Sequence, residues 1–158
     1  MKKGLYLLII VGLLLIGCND VTSGEKSVDL ELFDNAGIKA KIEKKNFKPE
    51  FPTEIPFTVE DTVVSSDPSN DTHSTVEFFG EGNHLSLSIF KGDNLTQGAE
   101  YEEVEIGNIQ GKYRENKAGT KLLYWQEDGI SYSLGYLSKQ SKEKVTKEQL
   151  IAVAELFE

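Results

Sequence analysis

Leu122-Leu123-Tyr124-Trp125-Gln126-Glu127-Asp128-Gly129-Ile130-Ser131-Tyr132-Ser133-Leu134 is the stretch that decides the fold. Asp128-Gly129 suits a type I′ turn, whose two central residues need positive φ. Pairing outward from that turn sets Trp125 opposite Tyr132 and Leu123 opposite Leu134. Ile130 and Tyr136 extend the same face, while Ser131, Ser133 and Gly135 lie behind it. A slip of one residue would move the whole apolar set to the other face, so the register is well specified. The segment predicts an antiparallel hairpin with one covered side.

Working outward, Val104 and Ile106 lead into Gly107-Asn108, with Ile109, Gly111 and Tyr113 beyond. A two-residue turn there pairs Ile106 with Ile109. Asn116 to Gly119 then returns the chain into the Trp125 strand, making residues 101–137 one meander. A further hairpin is expected at Gly82-Asn83, glycine first as in a type II′ turn. That register sets Val76 opposite Ile89, Phe78 opposite Leu87 and Gly80 opposite Leu85. Nearer the start, Val28, Leu30 and Leu32, then Ile38, Ala40 and Ile42, alternate around Asp34-Asn35-Ala36-Gly37, which reads as a hairpin. Pro49, Pro52 and Pro56 make residues 46–56 an extended connector, and 57–64 a strand.

At the other end, Thr146 and Gln149 form a capping box, and Val145 is placed to staple onto Leu150. Leu150, Val153, Ala154 and Phe157 follow at helical spacing. Hairpins and a meander closed by one amphipathic helix predict an α+β fold, with the helix packed on one sheet face.

Leu15-Ile16-Gly17-Cys18 carries the address. Lys2-Lys3 precede an uncharged apolar run from Gly4 to Ile16, too short for the about 20 residues that cross a bilayer. A charged flank, a short apolar core and a small residue before the break mark an export signal. The four residues resemble the lipobox of bacterial lipoproteins. That resemblance implies a palmitate-type diacylglyceryl group on the Cys18 sulfur and cleavage after Gly17. Two acyl chains hold a protein stably on a membrane where one does not. The expected organisation is a signal peptide (1–17), the lipidated Cys18 with a polar tether (18–27), and one extracytoplasmic domain (28–158). The expected location is the cell membrane, lipid-anchored on its outer face.

Loss of Lys2 and Lys3 takes the formal charge from −9 to −11. That balance argues against nucleic acid as a partner. Cys18 is the only cysteine, so a lipidated chain has no thiol for a disulfide, a zinc site or a nucleophile, and the domain must be held by its core. His73, in the polar loop 65–74, and His84, expected at an exposed strand start, match no metal or nucleophile motif. Asp67-Pro68-Ser69-Asn70-Asp71 fails the calcium-loop pattern, with Thr72 where glycine belongs and Phe78 where glutamate belongs. It reads as a surface turn. Glu102 and Glu103 should point to opposite sides of a strand, which is no glycosidase pair. No cofactor, no metal and no catalytic residue is expected.

Phe78, Trp125, Tyr132 and Tyr136 should line the covered face, as core beneath the helix or as the wall of a ligand cavity with polar handles. Ile55-Pro56-Phe57, Gly111-Lys112-Tyr113, Leu122 to Trp125 with Gly129 to Tyr132, and Leu150 to Phe157 resemble, in that order, an uncharacterised extracytoplasmic domain of Gram-positive membrane proteins and lipoproteins. Its members are distantly similar to periplasmic lipoprotein carriers, which hold acyl chains between a curved sheet and helices. The resemblance brings no catalytic residues. The leading expectation is therefore a membrane-anchored, non-enzymatic module that binds another envelope component. A carrier or sensor of an apolar ligand, and a hydrolase with an unrecognised site, are the alternatives.

Overall fold

The computed structural model describes residues 28–42, 45–65, 71–93, 100–142 and 144–158. The signal segment with Cys18, the tether to Ser27, and the Asp67–Asn70 part of the surface turn lie outside these residues. The architecture is α+β, as the hairpin pattern and terminal helix predict.

Seven antiparallel strands form the main sheet: β3 (Asp61–Ser65), β4 (His73–Gly80), β5 (Asn83–Lys91), β6 (Glu102–Ile106), β7 (Ile109–Glu115), β8 (Lys121–Glu127) and β9 (Ile130–Tyr136). Their spatial order is β3-β4-β5-β9-β8-β7-β6, so the β6–β9 meander docks through β9 onto the β3–β5 meander. The Asp128-Gly129 turn takes positive φ at both residues, 47° and 74°, and sets Trp125 opposite Tyr132 and Leu123 opposite Leu134. Ile106 pairs with Ile109 across Gly107-Asn108. In the next turn, the Asn116 side chain accepts from the backbone N–H of Ala118 and of Thr120. All of these follow the expected register.

The β4–β5 hairpin is displaced by two residues. Its turn is Glu81-Gly82, with φ of 53° and 76°, so Gly80 pairs with Asn83, Phe78 with Leu85 and Val76 with Leu87. Glutamate accepts the left-handed conformation here, giving a type I′ rather than a type II′ turn. An even shift preserves the faces, which is why the apolar side of the strand was legible although the partners were not. Gly80 itself is demanded by a close approach: the carbonyl oxygen of Thr58 occupies the space where a Cβ would stand.

The N-terminal hairpin does not form. Residues Ala36–Ile42 are a helix, α1, and β1 (Glu31–Leu32) pairs instead with β2 (Glu54–Ile55). The Asp34 carboxylate accepts the Ala36 N–H at 3.0 Å, supplying a partner that a helix start otherwise lacks. Ile38 and Ile42 are buried while Ala40 between them is exposed, the four-residue spacing of a helix face rather than the two-residue spacing of a strand. The described residues thus hold two α-helices where the sequence leads one to expect one. The strand expected over 57–64 begins only at Asp61, and Phe57 is instead a buried core residue ahead of it.

Helix α2 (Lys147–Glu155) carries the expected capping box: Thr146 Oγ1 accepts from the Gln149 backbone, and the Gln149 side chain accepts from the Thr146 N–H. It packs on β6 and β8 and buries Leu150, Val153 and Ala154. Val145 and Leu150, the expected staple, are both buried. Phe157 lies beyond the helix, where residue 157 bridges Pro52, and Phe51 and Glu158 exchange backbone hydrogen bonds at 3.0 and 3.1 Å. The apolar stripe therefore continues past the helix end through an extended strap. Thr146→Ala is expected to lower stability by about 1 kcal/mol through the lost cap, read as a smaller urea midpoint with an unchanged slope. An unchanged midpoint would mean that α2 is not docked by its N-terminus.

Candidate functional site

Phe78, Trp125, Tyr132 and Tyr136 all lie on the covered face and are buried. Trp125 and Tyr132, opposed across the β8–β9 hairpin, stack with centroids 5.0 Å apart and planes within 11°. Phe157 closes over both edge-on, at 5.0 Å and 5.5 Å. Phe33 meets Phe78 edge-on at 5.4 Å. With Trp125 only 2% exposed, the rings form a packed core under the C-terminal strap. The Tyr132 hydroxyl has the partner that a buried phenol needs: it accepts the backbone N–H of Glu50 at 3.1 Å. Burial pushes Tyr132 up to about 12, against the opposing effect of that hydrogen bond.

Open space lies beside this core. A cleft of about 580 Å³ runs between α1 and the connector, with Ala40, Ile42, Phe47, Pro49 and Phe51 as its apolar lining and Lys39, Lys48, Glu50 and Glu158 around them. A recess of about 320 Å³, walled by Gly107, Glu127, Glu155 and Phe157, also reaches Glu50. Glu50 thus joins the two. Loss of hydration raises its pKa first, then the charges of Glu127 and Asp128, with Lys39 working against them and Glu158 with them. The folded state then holds the Glu50 proton more tightly than the unfolded chain. Stability contributed by protonated Glu50 is present at low pH and is lost as pH rises from the ordinary value of 4.5 through the raised one. Glu50→Gln is therefore expected to raise the melting temperature slightly at pH 7, because the side chain is exposed and screened, and to leave it unchanged well below pH 4.5. Equal shifts at both pH values would show that the charge is not the cause.

The sequence placed no site in the connector, because its prolines mark backbone shape only. The aromatic signal in it was Phe47 and Phe51, which become cleft wall once α1 folds against them.

The histidines lie on the opposite, outward face of the sheet. His84 is not an exposed strand start: it is only 9% exposed, stacked on Phe79 at 4.4 Å, with Nε2 2.6 Å from Glu77 Oε2. Ser86 Oγ donates to the other Glu77 oxygen at 2.9 Å. The three residue types are those of a nucleophile triad, but the order is wrong. A catalytic serine must donate to the histidine that takes its proton, whereas here serine and histidine both bind the carboxylate. His73 opens β4, stacked on Phe90 at 4.2 Å, with Nε2 3.2 Å from Thr75 Oγ1. Burial and then Lys45 lower its pKa. Glu100, Glu102 and Glu103 are exposed, and Glu102 accepts from Lys147 at 2.6 Å. Among the described residues no group of three or more histidine, cysteine or acidic side chains is placed to hold a metal ion, and no helix is long and apolar enough to cross a membrane.

The profile of a family described as a domain of unknown function (DUF4367) matches residues 69–155, more than half of the chain. The chain belongs to the DUF4367 family. The matched DUF4367 region runs from the start of β4 to the end of α2, so it contains Phe78, Trp125, Tyr132, Tyr136 and the outward histidines, while Phe33 and Phe157 lie outside it. The cleft beside α1, with Phe47 and Phe51, is built mostly from residues ahead of it. No curated protein and no solved structure matches the chain.

Proposed function

We propose that this DUF4367 protein is a lipoprotein of the cell envelope, held on the outer face of the membrane by acylated Cys18, whose β-rich domain is a non-enzymatic module that binds another envelope component. The observation that carries the reading is the packing of Trp125, Tyr132 and Phe157, which fills the space between sheet and strap where a carrier would hold its cargo. Ile38 and Ile42 of α1 and Leu150, Val153 and Ala154 of α2 are buried in that one core. The outward face, by contrast, is half-buried over Thr75, Ser88, Ser133 and Tyr124, which the registers place side by side across four strands. Small hydroxyls beside an aromatic ring form a flat surface on which a partner can be seated with hydrogen bonds and little entropy loss.

One observation favours a second reading. The cleft beside α1 falls within the about 300–1,000 Å³ range of ligand sites and is walled by Ile42, Phe47 and Phe51, so a sensor of an apolar ligand would hold it there rather than under α2. Crosslinking on intact membranes with affinity capture separates the two. The binding module predicts one discrete envelope protein captured with the wild type and lost with Ser88→Arg, while His73→Ala with His84→Ala retains it. Apolar ligand extracted from the purified protein, with no captured partner, would instead establish the sensor. Complete loss of the in-cell phenotype in the double histidine variant, with partner capture and the melting curve unchanged, would contradict the non-enzymatic reading.

A further inference from the structure

Among the described residues the exposed large hydrophobics are Val28 at 38%, Leu32 at 89% and Val63 at 45%. Two of the three fall within the first five described residues. Leu32 is not at a loop tip: it pairs with Glu54 in β1, and the alternation that turns its neighbour Phe33 onto Phe78 points Leu32 away from the core. A lone exposed leucine is ordinary on a protein surface. Its position relative to Cys18 is the informative part.

Ten peptide steps separate Cys18 from Val28, and ten residues reach at most about 36 Å fully extended. Whatever holds Cys18 therefore holds the Val28–Leu32 end of the domain near it. That end can be located. The Thr58 hydroxyl donates to the Glu31 carboxylate, and the Thr58 carbonyl lies against Gly80 at the β4–β5 turn. The Gln149 amide, in the first turn of α2, donates to the Asp29 carbonyl at 3.1 Å. Lys142 closes the same end, its N–H donating to the Gly82 carbonyl at 2.9 Å, and the side chains of Lys142 and Lys144 are exposed. An outward leucine and valine at the end that also carries exposed Lys142 and Lys144, together with the exposed carboxylates Asp29, Glu31 and Glu81, suit the bilayer interface, which takes apolar side chains at the acyl boundary and ammonium groups at the phosphates. The patch is too small for a protein interface, which needs a broad apolar centre.

We propose that Val28 and Leu32 dip into the bilayer interface beside the anchor, fixing the domain with its β4–β5 end toward the membrane. This rests on the reading of Cys18 as lipidated. The orientation leaves the opposite end, with the Gly107-Asn108 turn and the Glu50 cleft, facing away from the membrane.

Lipidation consumes the only native thiol, so Leu32→Cys and Asn108→Cys each offer a single site for an environment-sensitive fluorophore. Asn108 is exposed in the turn between β6 and β7, at the far end of the sheet by the strand register. Each full-length protein, purified from membranes with its lipid, is reconstituted into phosphatidylcholine–phosphatidylglycerol vesicles carrying brominated acyl chains, and flotation records anchoring separately. The expected result is a blue shift and loss of emission at position 32, with position 108 unchanged. Protein that floats while position 32 stays unquenched, or while both positions are quenched alike, overturns the contact and leaves the anchor standing. Protein that does not float overturns the lipidation reading and the contact with it. A blue shift at position 32 that appears only at high protein density, without quenching by the brominated lipid, assigns the patch to a second copy and also overturns the proposal.

Discussion

Trp125→Ala is expected to lower the stability of the domain by about 3–5 kcal/mol, the usual cost of removing a large buried ring. The side chain is 2% exposed and lies between the stacked ring of Tyr132 and the edge of Phe157. Its loss would open a cavity at the junction of the β8–β9 hairpin, α2 and the C-terminal strap. Tyr132 would also lose a ring contact while still holding the Glu50 N–H, so the connector should loosen with it. Urea unfolding followed by circular dichroism, which does not depend on the missing indole, measures the effect. Trp125→Phe should retain much of the loss. Phe157→Ala should fall between Thr146→Ala and Trp125→Ala, because Phe157 is half-buried rather than enclosed. A Trp125→Ala domain as stable as the wild type would mean that the rings border an open space, and the carrier reading would regain its footing.

The hairpins closed by Asp128-Gly129 and Gly107-Asn108 were legible to the exact pair, because a two-residue turn of known type leaves one register that keeps Trp125, Tyr132, Leu123 and Leu134 together. The Gly82 hairpin was legible only by face. Nothing local to the sequence says that Glu81 will accept a positive φ, and a two-residue slip leaves the apolar pattern intact. The segment 28–42 is ambiguous for a related reason: Ile38 and Ile42 satisfy both periods, and only Ala40 discriminates. As a small apolar residue it fits a strand interior and a helix surface equally well. The burial of Phe78, Trp125, Tyr132 and Tyr136 followed from alternation, but alternation says nothing about whether the space above a face is filled. That depended on the strap holding Phe157 and on α1, neither visible before the chain was folded. The His84–Glu77–Ser86 cluster was illegible because it required the corrected register.

In the proposed function a lipid on Cys18 places this domain at the membrane surface. On the proposal that Cys18 is acylated, two acyl chains carry the attachment, so removing their sulfur should have an all-or-none effect. Cys18→Ser cells are fractionated beside the wild type, and precursor and mature forms are resolved by mass. The expected result is wild-type protein in the membrane fraction with a mass increased by the acyl groups, and Cys18→Ser protein that is released or left as uncleaved precursor. A Cys18→Ser protein that is cleaved and still fractionates with membranes as the wild type does would contradict the account.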